Sequence, residues 1–244
     1  MSVSIVIPTK NEEKYLPKLL ASLRRQCLRD FEIIVADAGS TDATLQIAES
    51  FGARVVAGGL PGPGRNRGAE AATGDRIIFF DADVLMPHDH YLAECLEEMD
   101  ERGLDITTCP LRAHEADALD HVMHGAYNVY SRATEHVLPH GGGFCLFVRR
   151  DAHEAVKGFD EEVVFAEDHD YVRRIKKAGF RFGILKNNKI LVSARRLHKE
   201  GRMNLAAKYA FSEIRILARG PFKRETPFKY EFGNFDGEEK KEKK

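Results

Sequence analysis

Two aspartates two positions apart carry the clearest chemical signal in the sequence. Asp81 and Asp83 follow an apolar run at 76–80 that predicts a buried strand. Carboxylates at this spacing can share one hard divalent cation, because Mg²⁺ and Mn²⁺ prefer oxygen ligands, and diphosphate oxygens can fill the remaining positions. The alternative for an isolated D-x-D is an ordinary turn in which an aspartate caps the next element. The surrounding sequence has to decide between the two.

Predicted strands and helices alternate around this pair. Apolar runs predict strands at 3–7, 31–36, 54–57, 106–111 and 144–148, and helical periodicity predicts helices at 12–26, 41–51, 87–102 and 201–219. Such alternation implies an α/β fold with a mostly parallel, Rossmann-like sheet flanked by helices. Ligands of these sheets bind beyond the carboxyl ends of the strands, which is where Asp81 and Asp83 fall.

The composition limits the class of protein. The chain has 244 residues, of which 43% are hydrophobic, and a formal net charge of -1. We expect one compact core, and a nucleic-acid partner is not expected because the chain has no excess of basic residues. The four cysteines form no C-x-x-C pair, and no run approaches the roughly 20 apolar residues of a membrane span. These features predict a cytoplasmic protein.

The histidines give a weaker signal than the aspartates. His88-x-His90 and His121-x-x-His124 have spacings that zinc sites use. No cysteine or glutamate in the local sequence completes a tetrahedral set at either pair. We therefore expect no zinc at these two pairs.

Four motifs resemble, in order, those of the family-2 glycosyltransferases. They are VIPTKNE at 6–12, IIVADAGSTD at 33–42, GRNRG at 64–68 and FFDAD at 79–83. The resemblance spans roughly residues 3–196. It implies the GT-A fold and transfer of a sugar from a UDP- or GDP-sugar to an acceptor hydroxyl, assisted by Mn²⁺ or Mg²⁺. In this context the D-x-D is expected to bind the metal.

The resemblance also implies which residues meet the donor nucleotide. Glu12 would hold a ribose hydroxyl, and Asp37 would bind the base. Asp83 would be the main ligand of the cation, with Asp81 close to both the cation and the ribose. A solvated side chain on a short helix is the alternative for Arg65. The residues implied at the donor are Pro8, Thr9, Glu12, Asp37, Arg65, Asn66, Gly68 and Asp81.

Glu167 and Asp168 resemble the E-D pair that supplies the catalytic base in inverting members of the family. Asp168 is the expected base, which takes the proton of the acceptor hydroxyl, and Glu167 is expected beside the acceptor. The alternative is a pair of carboxylates that favour the start of a helix. His140, Gly142 and Gly143 are expected to border the acceptor, since glycine lets backbone approach a ligand closely.

The S-A-R-R segment at 193–196 resembles one found in a subset of the family. Arg195 and Arg196 are expected to close over the donor phosphates, because a guanidinium binds phosphate oxygens in pairs. His198 is a candidate third ligand of the metal. The alternative for His198 is an ordinary polar residue at the surface.

These expectations divide the chain into a GT-A domain at 1–197, a C-terminal helix at 198–220, and a basic, aromatic segment with a charged tail at 221–244. The donor half of the domain ends near 112, and the acceptor half occupies about 113–197. Three other functions stay open: transfer to a polyprenyl phosphate, nucleotidyl transfer, and non-catalytic binding of nucleotide sugars. The terminal helix is expected to pack on the sheet, although it could instead contact a membrane peripherally.

Overall fold

The structure is a computed structural model that describes residues 2–228. The strands are β1 (Val3–Thr9), β2 (Phe31–Asp37), β3 (Arg54–Ala57), β4 (Arg76–Phe80), β5 (Val84–Leu85), β6 (Ile106–Thr108), β7 (Leu111–His114), β8 (Cys145–Arg149), β9 (Val163–Phe165), β10 (Phe182–Ile184), β11 (Ile190–Ser193) and β12 (Phe222–Lys223). The helices are α1 (Leu16–Arg24), α2 (Thr44–Ser50), α3 (Pro61–Ala71), α4 (Tyr91–Glu101), α5 (Ala118–Thr134), α6 (Arg150–Ala155), α7 (Glu167–Lys177), α8 (Arg195–Glu200) and α9 (Arg202–Arg219).

Seven strands form the central sheet, in the order β10-β6-β8-β4-β1-β2-β3. Strand β1 runs parallel to β2 and β4, β2 runs parallel to β3, and β6 runs parallel to β10. Only β8 is reversed among these seven, since it is antiparallel to both β4 and β6. The predicted α/β fold with a mostly parallel sheet is confirmed.

The reversed strand β8 brings the glycine run to the D-x-D. Because β8 is antiparallel to β4, its first residue, Cys145, lies opposite the last residue of β4, Phe80. The chain entering β8 therefore reaches the carboxyl end of β4, and the amide of Asp81 donates to the carbonyl of Phe144 at 3.4 Å. Gly143 and Asp81 are neighbours for this reason, although 62 positions separate them in the sequence.

Helices cover both faces of the sheet and complete two apolar cores. On one face, α1 and α4 bury Leu20 and Tyr91 against the strands. On the other face, α3 and α7 bury Ala69 and Tyr171. These side chains are shielded from water on both sides of the sheet, so the strands are held rigidly and the loops at their carboxyl ends have a fixed base.

A small second sheet carries the S-A-R-R segment to the D-x-D. Strand β11 pairs with β5 in antiparallel and with β7 in parallel orientation. At its end, the amide of Ser193 donates to the carbonyl of Asp83 at 3.2 Å. The predicted strand at 106–111 is in fact split between the two sheets, as β6 and β7. Pro110 lies at the break, where it has no N–H with which to continue a ladder.

The predicted helices begin later than expected at three places, one of which is α4, which starts at Tyr91 instead of residue 87. The first helix starts at Leu16 instead of residue 12, with a proline in its first turn. The second starts at Thr44 instead of residue 41, and the Asp42 carboxylate accepts from the amide and hydroxyl of Thr44, two residues further along.

The terminal helix agrees with the prediction in extent but not in packing. Helix α9 buries only Leu205 and Ser212, so the expectation that it packs on the sheet is not confirmed. Its exposed apolar side chains are Met203, Phe211, Ile214 and Leu217. No helix among residues 2–228 is long and apolar enough to cross a membrane. Residues 229–244, which include the predicted charged tail, lie outside the described part of the chain.

Candidate active site

The buried guanidinium of Arg65 joins three segments of the site. Arg65 lies on α3 and donates to Asp81 at 2.8 Å, to Glu167 at 2.7 Å and to the carbonyl of Gly143 at 3.1 Å. Its side chain is only 3% exposed and lies 5.4 Å from the centre of the Phe159 ring. The alternative of a solvated arginine is therefore wrong. Arg65 instead fixes the D-x-D, the E-D pair and the glycine run around one positive charge.

The two aspartates of the D-x-D differ in exposure. The Asp81 side chain is 40% exposed, whereas that of Asp83 is 13% exposed. Burial raises the pKa of Asp83 above its usual value, although the guanidinium of Arg195 opposes this shift. The two carboxylates are thus held by different arginines, because Arg65 binds Asp81 and Arg195 binds Asp83.

Arg195 of the S-A-R-R segment reaches into the centre of the site. Its Nε donates to Asp83 at 2.8 Å, and its two terminal nitrogens donate to the two oxygens of Glu12 at 2.8 Å each. The guanidinium lies over the ring of Tyr15, 4.3 Å from its centre. Burial raises the pKa of Glu12 to about 7; Arg195 opposes this shift, and the Asp83 and Asp81 charges add to it.

Glu167 and Asp168 open helix α7 behind a strained residue. Ala166 has φ 55° and ψ 38°, the left-handed conformation that non-glycine residues avoid. The Asp168 carboxylate accepts from the amide of Gly143 at 2.7 Å and from the amide of His169 at 2.8 Å. Burial raises the pKa of Glu167, while the charge of Arg65 opposes that rise. Both carboxylates are therefore oriented by neighbours from other segments.

The glycine run is packed against the residues it helps to orient. A Cβ on Gly143 would lie 2.8 Å from Arg65 Nη2 and 2.9 Å from Asp168 Oδ2, and a Cβ on Gly142 would lie 2.5 Å from the ring of Phe144. Real Cβ atoms essentially never come this close to another atom. The glycines were expected to let the backbone approach a ligand closely. In the structure, the backbone of Gly143 closely approaches the side chains of Arg65 and Asp168.

Asp37 and Thr9 form a tight polar cluster at the ends of β1 and β2. The Asp37 carboxylate accepts from the hydroxyl of Thr9 at 2.9 Å, from the amide and hydroxyl of Ser40, and from the amide of Gly39. Four donors occupy its two oxygens, so Asp37 organises the turn after β2. Pro8, one residue before Thr9, is buried at the end of β1.

Two residues predicted to meet the donor have internal partners instead. The Asn66 amide donates to the carbonyl of Phe159 at 2.9 Å and accepts from the amide of Phe159 at 2.8 Å, so it clamps the chain before β9. Gly68 lies in α3 against β1, where a Cβ would come within 2.2 Å of Val6 Cγ1. Close packing of the helix on the strand accounts for this glycine.

For three further predicted residues, the contacts described here do not involve the D-x-D. His198 bonds Asp120 at 2.9 Å, which is a different partner from the expected metal ligand Asp83. Arg196 donates to Glu200 at 2.8 Å. His140, expected at the acceptor, is 2% exposed. Arg196 and His198 lie on the short α8 together with Arg195, but their side chains have these other partners.

The structure also reveals contacts that the sequence reasoning missed. Tyr15 lies beneath Arg195, and Phe159 lies beneath Arg65. Both aromatic rings support a buried guanidinium through cation–π contact. No local pattern distinguishes either ring from an ordinary core residue, because each arginine comes from a distant part of the chain.

The carboxylates of the D-x-D fit a hard cation. Asp81 and Asp83 offer only oxygen atoms, as Mg²⁺ and Mn²⁺ prefer. The position against Asp83 already holds a positive group, the guanidinium of Arg195 at 2.8 Å. A metal ion that binds Asp83 would therefore have to displace this guanidinium.

Comparison with known proteins identifies the family of the chain. The sequence model of the family described as "Glycosyl transferase family 2" matches residues 4–157. The 4,4'-diaponeurosporenoate glycosyltransferase of Staphylococcus haemolyticus is 39% identical over 105 residues, which are 39% of this chain and 28% of that protein. The uncharacterized glycosyltransferase EpsJ of Bacillus subtilis is 31% identical over 187 residues, 69% of this chain and 54% of EpsJ. The matched part of the chain thus covers about half or less of the length of these two relatives.

Solved structures share the fold. TarS of Staphylococcus aureus, residues 1–349 in complex with UDP-GlcNAc, superposes with a TM-score of 0.65 at 23% identity, over 79% of this chain and 58% of that one. The mannosyltransferase PcManGT of Pyrobaculum calidifontis, in complex with GDP-Man and Mn²⁺, gives a TM-score of 0.65 at 19% identity, over 86% and 64% of the two chains. The chain belongs to glycosyl transferase family 2 and has the GT-A fold.

Proposed function

We propose that this chain transfers a glycosyl group from a UDP- or GDP-sugar to an acceptor hydroxyl, with inversion at the anomeric carbon. The observation that carries the proposal is the bridge through Arg65, which binds Asp81 of the D-x-D at 2.8 Å and Glu167 of the E-D pair at 2.7 Å. A donor diphosphate at the D-x-D would therefore lie close to the carboxylate that deprotonates the acceptor. The relatives found in complex with UDP-GlcNAc and GDP-Man support a nucleotide sugar as donor.

Asp83 and Asp81 would hold the divalent cation, Mn²⁺ or Mg²⁺. Such a cation stabilises the negative charge that develops on the departing nucleoside diphosphate. Arg195 now neutralises Asp83, so it would give up that contact when the cation binds. A freed guanidinium beside the D-x-D suits the donor phosphates, which it can bind through paired N–H groups. Arg196 would support this closure over the phosphates only if it left Glu200.

Asp168 would act as the general base. Its carboxylate is held by the amides of Gly143 and His169. It would accept the proton of the acceptor hydroxyl while that oxygen forms its bond to the anomeric carbon. The bond from the anomeric carbon to the diphosphate oxygen breaks on the opposite side, and the nucleoside diphosphate leaves with the electron pair. Glu167 would border the acceptor and remain paired with Arg65.

The first strand and its neighbours would form the nucleoside pocket. Glu12 would hold a ribose hydroxyl after Arg195 releases its carboxylate. Pro8 and Thr9 would lie beside the nucleotide at the end of β1. Asp37 would shape this pocket through the turn after β2, since its oxygens already accept four hydrogen bonds.

Binding of nucleotides tests the donor assignment. The purified chain is titrated calorimetrically with UDP, GDP and their sugar conjugates in Mn²⁺, Mg²⁺ or EDTA. We expect one nucleotide sugar to bind in a metal-dependent manner and Asp83→Asn to weaken it at least about 100-fold. Asp89→Asn is the matched control, because Asp89 is exposed and pairs with the exposed Arg25 at 3.4 Å. Equal binding by wild type and Asp83→Asn would contradict the assignment.

The products separate this function from its alternatives. A glycosyltransferase releases a nucleoside diphosphate from a nucleotide sugar, whereas a nucleotidyltransferase releases pyrophosphate from a nucleoside triphosphate. A binding protein does neither. A polyprenyl-phosphate acceptor is already ionised, so transfer to it would be insensitive to Asp168→Asn. We assign a hydroxyl acceptor because Asp168 is held in place by two amides.

We also propose peripheral contact of helix α9 with an anionic membrane surface. Met203, Phe211, Ile214 and Leu217 are between 52% and 80% exposed and lie within an arc of about 120° at 100° per residue. An apolar stripe on a helix with basic residues suits an anionic interface. Ile214→Asp should reduce co-sedimentation with phosphatidylserine vesicles, whereas Val137→Asp, at a still more exposed site before β8, should not. Equal sedimentation of the two variants would refute the contact.

A further inference from the structure

Three side chains from separate segments converge beneath helix α9. His140 precedes the glycine run, His169 follows Asp168 in α7, and Glu213 lies in α9. One ligand atom from each lies within 4.8 Å of the other two. His140 is 2% exposed, and the side chains of His169 and Glu213 are 14% and 15% exposed. This cluster is therefore shielded from bulk water.

The nitrogen atoms that face Glu213 have no hydrogen-bond partner. His140 Nε2 and His169 Nδ1 are both buried and unsatisfied. They lie 3.5 Å and 3.8 Å from the same carboxylate oxygen, Glu213 Oε2. These separations exceed the usual range of an N–H···O hydrogen bond. They are close to the distance of roughly 3.4 Å between two ligand atoms of a tetrahedral zinc ion with bonds of about 2.1 Å.

Neighbours orient two of the three side chains of the cluster. His140 Nδ1 lies 3.3 Å from the hydroxyl of Thr134, whereas His169 Nε2 lies 3.9 Å from Asp168 Oδ1, which is too far for a hydrogen bond. Glu213 Oε1 accepts from Arg173 at 2.7 Å. Metal-bound histidines commonly have such a partner at the second ring nitrogen, which fixes the tautomer and the direction of the free nitrogen.

We propose that His140, His169 and Glu213 form a zinc site. Two neutral imidazole nitrogens and one carboxylate are a ligand set that Zn²⁺ uses, with water in the fourth position. This set differs from the all-oxygen D-x-D, which suits Mg²⁺ or Mn²⁺. The site fastens α9 to α7 and to the glycine run, beside Asp168. It is independent of donor binding, because the D-x-D takes no part in it.

A second cluster of histidine and carboxylate side chains serves as the comparison for the proposed site. Asp117, Asp120 and His198 also lie within ligand distance of one another. There, Arg202 donates to both carboxylates, to Asp120 at 2.7 Å and also to Asp117, and His198 Nε2 lies 2.9 Å from Asp120. In the first cluster, Arg173 donates to Glu213 Oε1, and Glu213 Oε2 faces the two histidine nitrogens. Among residues 2–228 the two clusters therefore differ in whether the inner nitrogens have partners.

Zinc titration of the full chain tests the proposal. Zn²⁺ is added under calorimetric observation in saturating Mg²⁺, which occupies the D-x-D, and Co²⁺ is added separately to record its visible absorption. The variants are Glu213→Gln, which keeps the volume and the acceptor for Arg173, and His169→Gln. The control is His198→Gln in the second cluster. Circular dichroism of each variant establishes that it is folded.

We expect one equivalent of Zn²⁺ to bind the wild type and His198→Gln, and to bind either cluster variant at least about 100-fold more weakly. Co²⁺ should give the strong visible bands of a tetrahedral site in the wild type. The two cluster variants should not show these bands. If the wild type binds no Zn²⁺ beyond the D-x-D, or if the folded cluster variants bind it equally, the proposal is wrong. The cluster is then a set of polar contacts around Glu213 that holds no metal. Metal-dependent nucleotide binding would be unaffected by that result.

Discussion

Arg195 holds Glu12 through both of its terminal nitrogens, at 2.8 Å each, across 183 positions of sequence. The same guanidinium binds Asp83 at 2.8 Å. Arg195 thus links Glu12, which follows the first strand, the D-x-D and the S-A-R-R segment. A cation that binds Asp83 has to compete with this guanidinium, and the energetic consequence can be measured.

Removal of Arg195 should have opposite effects on metal and donor. In Arg195→Gln, Asp83 and Glu12 lose their positive partner, so Mn²⁺ alone should bind more tightly, by about 5-fold or more. The nucleotide sugar should bind more weakly, because one cation fewer faces its diphosphate. Calorimetric titration of Mn²⁺ and of the donor in excess Mn²⁺ measures both affinities. Arg196→Gln is the neighbouring control for Mn²⁺ alone. Weaker Mn²⁺ binding by Arg195→Gln would contradict this competition.

Arg65 should be essential for stability. Its replacement by alanine leaves the buried end of Glu167 without its partner and removes the bridge to Asp81, which should cost about 3–5 kcal/mol in the free energy of unfolding. Arg67, two residues further along α3, is exposed, and Arg67→Ala should cost less than about 1 kcal/mol. Urea denaturation of the two variants gives the comparison. Similar losses in both would show that the buried ion pairs contribute little.

Two helical glycines should respond oppositely to alanine. A Cβ at Gly68 would lie 2.2 Å from Val6 Cγ1, whereas a Cβ at Gly125 in α5 would meet nothing within 4 Å. Gly68→Ala should therefore destabilise the protein by about 1–3 kcal/mol. Gly125→Ala should stabilise it by up to about 1 kcal/mol, since alanine favours the helix. Denaturant midpoints measure both. A neutral Gly68→Ala would mean that α3 does not depend on this close approach to β1.

The local chemistry of the site could be predicted from the sequence, because the residues concerned are neighbours in the chain. Asp81 and Asp83 follow β4, and Glu167 and Asp168 begin α7, as their patterns predicted. A few adjacent residues determine where a strand ends and where a helix begins. The positions of these four carboxylates in the fold are therefore encoded locally.

The partners of these residues could not be predicted in the same way. Arg65 meets Glu167 across 102 positions, and Arg195 meets Glu12 across 183. Such pairs depend on the strand order and on the reversed β8, neither of which leaves a periodic signal. The contact of Asn66 with Phe159 was missed for the same reason, because the two residues are distant in sequence. The motifs predicted the elements, and the topology determined the contacts.

Buried His153 should make stability fall at acid pH. Burial, followed by the charges of Arg150 and Arg174, lowers the pKa of His153 to about 4, and its Nδ1 lies 2.7 Å from the hydroxyl of Tyr171. The unfolded chain binds this proton near pH 6.5, so the stabilisation is complete above pH 6.5 and is lost as the pH falls through 4. At pH 5 the loss is about 2 kcal/mol.

Urea denaturation at pH 7.5 and pH 5 measures this effect. In His153→Gln the free energy of unfolding should fall less between the two pH values than in the wild type. His90→Gln is the control, because His90 is exposed and should leave the pH dependence unchanged. If His153→Gln and the wild type lose the same free energy, another group is responsible for the acid sensitivity.

The most direct test of the account is the release of nucleoside diphosphate from the bound sugar donor by Asp168→Asn. Asp170→Asn is the control on the same helix, where Asp170 pairs with Arg174 at 2.7 Å. With water or an identified hydroxyl as acceptor, we predict that Asp168→Asn binds the donor within about 3-fold of the wild type but releases nucleoside diphosphate at least about 100-fold more slowly. Release at the wild-type rate by Asp168→Asn would contradict the assignment of Asp168 as the base and, with it, the proposed mechanism of transfer.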